Sequence, residues 1–268
     1  MNSHVIPRLA RKTAVVCLAL LGALTLVLAF TARAAARVTA HTGRSVDSSD
    51  FTSHNETSRA KFASRPLALS DDGATILAFP PRADRRLTVV YLHGIHGRAE
   101  NGCPWLHEGA SEIGWLVCPE ANERLSNGTF SWAGTVADQR AVVARAEHAA
   151  QAQGADPASA GVLVGFSQGA YVALDLVHAR LGHYRGIVLI GADVAPSRAT
   201  LTTAGVERIV FAAGELDGAS APMKRAAERL RREGMDVRFV SLGRIGHSYE
   251  TTDKEALRDA IAWAGRST

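Results

Sequence analysis

A serine in a glycine-flanked turn is the first residue of this chain whose setting suggests chemistry. Ser167 is the centre of the pentapeptide Gly-Phe-Ser-Gln-Gly, which ends the apolar run 161–166 and opens a helical pattern. A serine on a tight turn between a strand and a helix is presented at the carboxyl edge of a sheet, and the helix N-terminus favours developing negative charge. We therefore predict that Ser167 is a nucleophile.

A serine nucleophile needs a general base, and the base needs an orienting acid. His247 lies in a glycine-flanked loop after the last predicted strand, and Asp217 follows the strand before it. The separations, 50 residues from 167 to 217 and 30 from 217 to 247, each fit a helix plus a strand. Asp217 is the favoured acid. Glu215 in the same loop and Asp193, one strand earlier, are the alternatives.

Acyl transfer through a serine also needs two backbone N–H groups that stabilise the oxyanion. The predicted strand 87–92 runs into His-Gly-Ile-His-Gly at residues 93–97, in the place where such a loop is expected. We predict that the N–H groups of Ile95 and Gln168 are the two donors. His93 is interpreted as a side chain that braces this loop.

Four side chains are candidates for the substrate pocket: His96, Trp105, Phe130 and Trp132. The loops 97–105 and 122–134 should flank the carboxyl edge of the sheet, where ligand sites of parallel sheets lie. Aromatic residues at such positions belong more often to the core than to a pocket. His96 faces either substrate or solvent.

Apolar runs and helical patterns alternate from about residue 66 to the end of the chain. Strand patterns cover 75–79, 87–92, 115–118, 161–166, 186–190, 208–212 and 237–242, and helical patterns cover 136–153, 168–180, 219–233 and 253–264. Near-continuous apolar strands are typical of parallel sheets covered on both faces. We predict a three-layer α/β domain over residues 66–268 with a mostly parallel central sheet.

The excess of basic residues lies at the N-terminus. The formal net charge is +4, and residues 1–34 contain Arg8, Arg11, Lys12 and Arg33 but no acidic residue. The rest of the chain is formally neutral, which argues against a nucleic-acid partner. With 47% hydrophobic and 21% charged residues, the composition excludes collagen, coiled coil and general disorder.

The segment from Ala14 to Phe30 is almost wholly apolar and precedes Ala-Arg-Ala at residues 32–34, a signal-peptidase pattern. We predict that residues 1–34 are a secretory signal, or an uncleaved anchor that contacts the membrane only through residues 13–32. Residues 35–65 are rich in Ser, Thr and His and are expected to be a flexible tether. The domain is expected outside the cytoplasm, either secreted, periplasmic or anchored.

Two cysteines remain beyond the apolar segment, Cys103 and Cys118. An even count in an exported protein predicts a disulfide, which would stabilise the fold by roughly 3 kcal/mol on loop-entropy grounds. No second close pair of Cys or His has the spacing of a zinc site, so no metal is predicted.

The chain resembles the α/β-hydrolase superfamily from about Leu87 to its end, which is about two thirds of its length. The Gly-Phe-Ser-Gln-Gly motif is similar to the phospholipase/carboxylesterase branch and, more loosely, to dienelactone hydrolases. The resemblance implies the α/β-hydrolase fold, attack by Ser167 on an acyl carbonyl, proton transfer by His247, orientation by Asp217, and neither metal nor organic cofactor. The acid loop 214–222 and the cysteine-containing loop 97–105 depart from the usual pattern.

The sequence thus predicts an exported serine hydrolase that cleaves small carboxylic esters or thioesters through an acyl-enzyme. A polyester depolymerase would share the export signal and the disulfide. A peptidase of the same superfamily would share the triad but usually carries a further lid or propeller domain. A binding module on this fold without turnover is the non-enzyme alternative, and the oligomeric state stays open.

Overall fold

The computed structural model describes residues 66–71, 74–251 and 253–266 of this chain. The predicted signal or anchor (1–34) and tether (35–65) lie outside these residues. Among the helices in the described ranges, none combines the length and apolar character needed to cross a bilayer.

Strands and helices alternate through most of the described chain. The strands are β1 (Leu67–Asp71), β2 (Ala74–Phe79), β3 (Leu87–Leu92), β4 (Gly114–Pro119), β5 (Glu123–Arg124), β6 (Phe130–Ser131), β7 (Gly161–Phe166), β8 (Tyr184–Ile190), β9 (Arg208–Ala213) and β10 (Asp236–Ser241). The helices are α1 (Ala99–Ser111), α2 (Val136–Ala152), α3 (Gln168–His178), α4 (Arg198–Thr203), α5 (Ser220–Arg232) and α6 (Lys254–Ala264).

One eight-stranded sheet organises the domain, in the order β1-β2-β4-β3-β7-β8-β9-β10. The strands from β4 to β10 in this order are parallel, and β2 is antiparallel to both of its neighbours. From β3 the chain passes to β4 on one side and then to β7 on the other, so the winding direction reverses between β3 and β7. In open α/β sheets the crevice at the carboxyl ends of two such strands is the usual ligand site.

Helices cover both faces of the sheet, which is why its central strands β3, β7, β8 and β9 are buried along almost their whole length. Successive side chains of a strand point to opposite faces. Val90 and Leu92 of β3 belong to the apolar cluster that includes residues of α2, α3 and α5, and Val89 and Tyr91 belong to the cluster of α1 and α6. This is the three-layer arrangement predicted from the sequence.

Each strand and helix predicted from the sequence is present, with ends within two residues of the expected positions. The interpretation of residues 97–105 as a loop is wrong, because α1 begins at Ala99 and runs through Pro104. Gly102 in its second turn packs against the ring of Tyr91, where a Cβ would overlap it. Strands β1, β5 and β6 and the short helix α4 were also not predicted.

The predicted pairing of Cys103 with Cys118 is confirmed. The disulfide joins α1 to the carboxyl end of β4, and both cysteines are fully buried, with Cα atoms 6.1 Å apart. The bond therefore links the helix that follows β3 to the neighbouring strand.

Candidate active site

Ser167 occupies the sharp turn between β7 and α3. Its φ of 51° and ψ of −117° place a non-glycine residue in the left-handed half of backbone space, and its N–H donates to the Ile190 carbonyl at 2.9 Å. The glycines of the motif permit close backbone approach: a Cβ on Gly165 would overlap the Gly169 carbonyl, and one on Gly169 would overlap that of Leu92. Such strain held by the surrounding structure is typical of functional turns.

His247 and Asp217 complete a hydrogen-bonded chain with this serine. The His247 Nε2 atom lies 2.9 Å from Ser167 Oγ, and its Nδ1 lies 2.9 Å from Asp217 Oδ2. Asp217 is buried, and its Oδ1 accepts the Ala219 N–H at 2.9 Å. With Asp217 ionised, the imidazole donates from Nδ1 and its Nε2 accepts the serine hydroxyl proton.

The two alternative acids lie elsewhere. Glu215 is exposed and its Oε1 accepts the Ser241 hydroxyl at 3.3 Å, while Asp193 is exposed in the loop after β8. The structure therefore brings Asp217, and neither of these carboxylates, to His247.

Aromatic rings and a glycine hold the imidazole in place. The Phe166 ring lies 5.0 Å from the His247 ring, centroid to centroid, and Tyr249 packs edge-on against Phe166 at 4.7 Å. Burial raises the pKa of Tyr249, which keeps its hydroxyl neutral. Gly191, with φ of 61°, approaches so closely that a Cβ there would lie 3.1 Å from Asp217 Oδ2.

The loop after β3 lies directly against the serine. A Cβ on Gly94 would be 3.1 Å from the Cβ of Ser167, and the turn closes with a hydrogen bond from Gly97 N–H to the Gly94 carbonyl at 3.0 Å. Within the described part of the chain, the N–H groups of Ile95 and Gln168 have no protein acceptor. Both predicted donors are thus free to receive a ligand oxygen.

His93 is buried and holds this loop through both ring nitrogens. Its Nε2 accepts the Ala121 N–H at 3.1 Å, so Nδ1 carries the proton and donates to the Gly94 carbonyl at 2.8 Å. Glu120 lies 3.3 Å from the same Nε2 and accepts the first N–H of α1, from Ala99, at 3.1 Å. His93 does not contact the serine in this arrangement.

The predicted pocket side chains have different environments. Trp132 does not line an open pocket, because it is only 4% exposed and its Nε1–H donates to the His93 carbonyl at 2.9 Å. Trp105 lies on α1 rather than in a loop, with the Lys254 ammonium 4.9 Å from its ring. Phe130 is half-buried beneath the Arg98 guanidinium, and His96 is exposed in the turn with φ of 57°.

Three exposed apolar residues lie on the segments that carry the residues of this site. Ile95, 53% exposed, lies in the loop 93–97. Tyr171, 46% exposed, lies one turn along α3, and Leu216, 64% exposed, directly precedes Asp217. We call these three residues the apolar rim. Single exposed apolar residues are ordinary on protein surfaces, so the sequence carried no signal that these three would flank one site.

Two surface depressions, of about 660 and 570 Å³, lie at the amino edge of the sheet, one beside the start of β3 and the other beside the starts of β9 and β10. Both are remote from Ser167, which lies at the carboxyl edge. The His247 side chain is half exposed. Ser167 itself is partly exposed.

Among the described residues, no group of three or more His, Cys, Asp or Glu side chains is arranged to hold a metal ion. The groups that the structure brings together at this site are the serine hydroxyl, the imidazole, the carboxylate and the two backbone N–H groups.

No protein-family model matches this chain. No curated protein matches it either. Solved structures do match it. TT1662 from Thermus thermophilus is 21% identical, with 75% of this chain and 97% of that chain covered and a TM-score of 0.53.

Two further matching structures are named as esterases. A Bacillus cereus carboxylesterase is 20% identical over 72% of this chain and 94% of its own, with a TM-score of 0.51. A bacterial heroin esterase is 17% identical over 76% and 85% of the two chains, with a TM-score of 0.55. Together with the strand order and the turn that carries Ser167, these likenesses show that the chain has the α/β-hydrolase fold.

Proposed function

We propose that this protein is a serine hydrolase that cleaves carboxylic esters or thioesters through an acyl-enzyme. The observation that carries the proposal is the unbroken hydrogen-bonded chain from Ser167 through His247 to Asp217, next to two unoccupied backbone N–H groups. A nucleophile, a base, an orienting acid and oxyanion donors are the parts that acyl transfer needs.

In the first half-reaction, Ser167 Oγ attacks the carbonyl carbon while its proton passes to His247 Nε2. The carbonyl oxygen becomes an oxyanion and accepts the N–H groups of Ile95 and Gln168. Collapse of this intermediate breaks the bond to the alcohol or thiol, which leaves with the proton from His247. Asp217 stabilises the imidazolium throughout.

In the second half-reaction, a water molecule gives a proton to His247 Nε2 and attacks the acyl carbon. The second oxyanion forms in the same position, so the same two N–H groups stabilise it. Its collapse releases the carboxylic acid and returns the proton to Ser167. Each oxyanion donor of this kind contributes about 10²–10³ in turnover.

The apolar rim supports an ester with apolar groups on both sides of its carbonyl. Ile95 lies on the oxyanion side of the serine and Leu216 on the acid side, and both side chains are more than half exposed. The carboxylesterase and the heroin esterase of the same fold act, by their names, on esters. Because the His247 side chain is half exposed and Ser167 is partly exposed, a polyester presented at a surface is the second candidate substrate.

The buried disulfide supports the further proposal that the domain is exported. Disulfides persist mainly in oxidising compartments outside the cytoplasm. The basic and then apolar residues 1–34 are the signal or anchor that export would require.

The test is covalent labelling of the full-length chain, made under oxidising conditions, with a fluorophosphonate probe. We expect one adduct, at Ser167, which is lost in Ser167→Ala and kept in Ser159→Ala, a control at the opposite edge of the sheet. Hydrolysis of p-nitrophenyl butyrate should fall by at least about 10³-fold in Ser167→Ala alone. A folded, disulfide-bonded protein that takes no label would contradict the proposal.

A further inference from the structure

We propose that Trp132 and Gln168 are positioning residues. Their side chains fix the spacing between the two oxyanion donors, the N–H groups of Ile95 and Gln168. The bonds that fix this spacing are made by Gln168 and by residues 130–132, a segment that we call the clamp. This inference rests on the proposed function, because it concerns the oxyanion site of that reaction.

The first arm of the clamp is the Gln168 side chain. Its Oε1 accepts the Trp132 N–H at 3.1 Å, and its Nε2 donates to the Trp132 carbonyl at 3.0 Å. The Ser131 hydroxyl lies 3.1 Å from the same Nε2. Reversing the amide would set N–H against N–H and oxygen against oxygen, so these partners fix its orientation. The residue that supplies one oxyanion donor is thereby bound to the clamp.

The second arm reaches the loop that supplies the other donor. The Trp132 Nε1–H donates to the His93 carbonyl at 2.9 Å, and the Phe130 N–H donates to the Gly97 carbonyl at 3.1 Å. These two carbonyls are the first and last of the loop that contains Ile95. The clamp therefore bonds both ends of this loop and the residue after the serine.

The clamp is itself anchored from outside the site. The Asn122 amide pairs with both backbone groups of Ala133, at 2.9 and 3.0 Å, and the Arg98 guanidinium donates to the Gly128 carbonyl at 2.9 Å. Trp132 and Ser131 are 4% and 6% exposed. A segment held on both sides can transmit a fixed spacing between the elements that it connects.

This spacing matters because an oxyanion donor is effective only near 2.7–3.1 Å from the developing charge. The Ile95 loop belongs to no helix or strand, and the bonds within it are the turn at Gly97 and the bond from His93 Nδ1–H to the Gly94 carbonyl. Neither bond links the loop to Gln168. Loss of the clamp would let the two N–H groups move apart while Ser167, His247 and Asp217 keep their own bonds. The free energy of the transition state would then rise, whereas that of the bound ester would stay the same.

The experiment compares Trp132→Phe, which deletes one N–H, with Gln168→Met and Ser131→Ala. Trp115→Phe is the matched control, since Trp115 is half-buried against the same core cluster and lies on β4, outside the clamp. We expect kcat to fall about tenfold in the Trp132 and Gln168 variants, because small displacements at a reacting centre carry penalties of this size. KM should stay within about twofold, because acylation and deacylation use the same donors.

A second readout separates positioning from general loss of structure. An alkyl trifluoromethyl ketone forms a tetrahedral oxyanion adduct with the serine, so its affinity should fall by the same factor as kcat. Ser131→Ala, the smallest change, should show a weaker effect of the same sign and serves if a larger variant does not fold.

Folded Trp132 and Gln168 variants with the kcat and ketone affinity of the wild type would overturn the proposal. Equal losses of kcat and ketone affinity in Trp115→Phe would also overturn it. Failure of the proposed function looks different, since the wild-type chain itself would then take no fluorophosphonate label and hydrolyse no ester.

Discussion

Asp217 is the residue that orients His247 in the proposed reaction. Its two carboxylate oxygens accept the His247 Nδ1–H and the Ala219 N–H, both at 2.9 Å. In Asp217→Asn, an amide N–H facing the ring would favour the wrong tautomer, so we expect kcat to fall by about 10⁴-fold with the fold intact. Steady-state kinetics on p-nitrophenyl butyrate measures this.

Glu215→Gln and Asp193→Asn are the controls, because these exposed carboxylates do not reach His247. Near-normal turnover in Asp217→Asn, with a large loss in either control, would move the acid to that residue.

Gly191 tests how closely the backbone must approach the acid and the base. Its φ is 61°, and a Cβ there would lie 3.1 Å from Asp217 Oδ2 and 3.2 Å from His247 Cε1. Gly205 has a φ of 81° and open space around it. Alanine at either position costs about 1–2 kcal/mol of backbone energy. Only Gly191→Ala should also displace the imidazole, so its turnover should fall at least about tenfold further. Equal turnover in the two variants would refute this account.

At the scale of the elements, helix α1 carries a buried titratable group that links stability to pH. Burial, with a smaller contribution from the Arg82 charge, lowers the pKa of His107 from its ordinary value of 6.5. The unfolded chain then binds more protons than the native one as the pH falls below about 6.5, so this group destabilises the fold in that direction.

We expect the free energy of unfolding to decrease more steeply between pH 7 and pH 5 in the wild type than in His107→Gln. His148→Gln, a change at an exposed position of α2, should follow the wild type. Urea denaturation at each pH measures the difference, and identical slopes in all three proteins would rule out the role of His107.

The elements that sequence reasoning recovered are those with a strong local pattern. The near-continuous apolar runs of β3, β7, β8 and β9 are unambiguous because both faces of each strand are buried. Helix α1 was missed because Pro104 and Gly102 suggest a loop. The signal that could have revealed it is the buried stripe of Cys103, Leu106 and Ala110, which has helical spacing.

The residues of the candidate site also differ in how well the sequence predicts them. Ser167, Asp217 and His247 could be proposed from motif and chain order, because each follows its own strand. The clamp could not, since nothing local to Gln168 or Trp132 indicates that one residue's amide pairs with the other's backbone across 36 positions. Tertiary contacts between distant residues leave no periodic trace in one sequence.

On the scale of the whole molecule, the proposed role of the apolar rim predicts a preference among ester substrates. Complete burial of a side chain the size of Leu contributes about 1.5–3 kcal/mol, and an acyl chain would cover only part of each rim side chain, for about half of that or less. Leu216→Ser and Tyr171→Ser should therefore lower the ratio of kcat/KM for p-nitrophenyl decanoate to that for the acetate by roughly three- to tenfold.

The matched control for the apolar rim is Leu67→Ser, an exposed apolar position on the edge strand β1, 40% exposed. This variant should keep the wild-type ratio. If the rim variants also keep it, the acyl chain binds elsewhere.

The disulfide has a consequence for the order in which the domain assembles. Cys103 and Cys118 are separated by 15 residues, so both are present on a growing chain well before β7 and the serine turn have been synthesised. Short loops close at small entropic cost. Glu120 and Ala121 follow Cys118 within three residues, and their contacts hold the start of α1 and the His93 ring. The support of the loop 93–97 can therefore form first during synthesis, and the turn that carries Ser167 packs against it later.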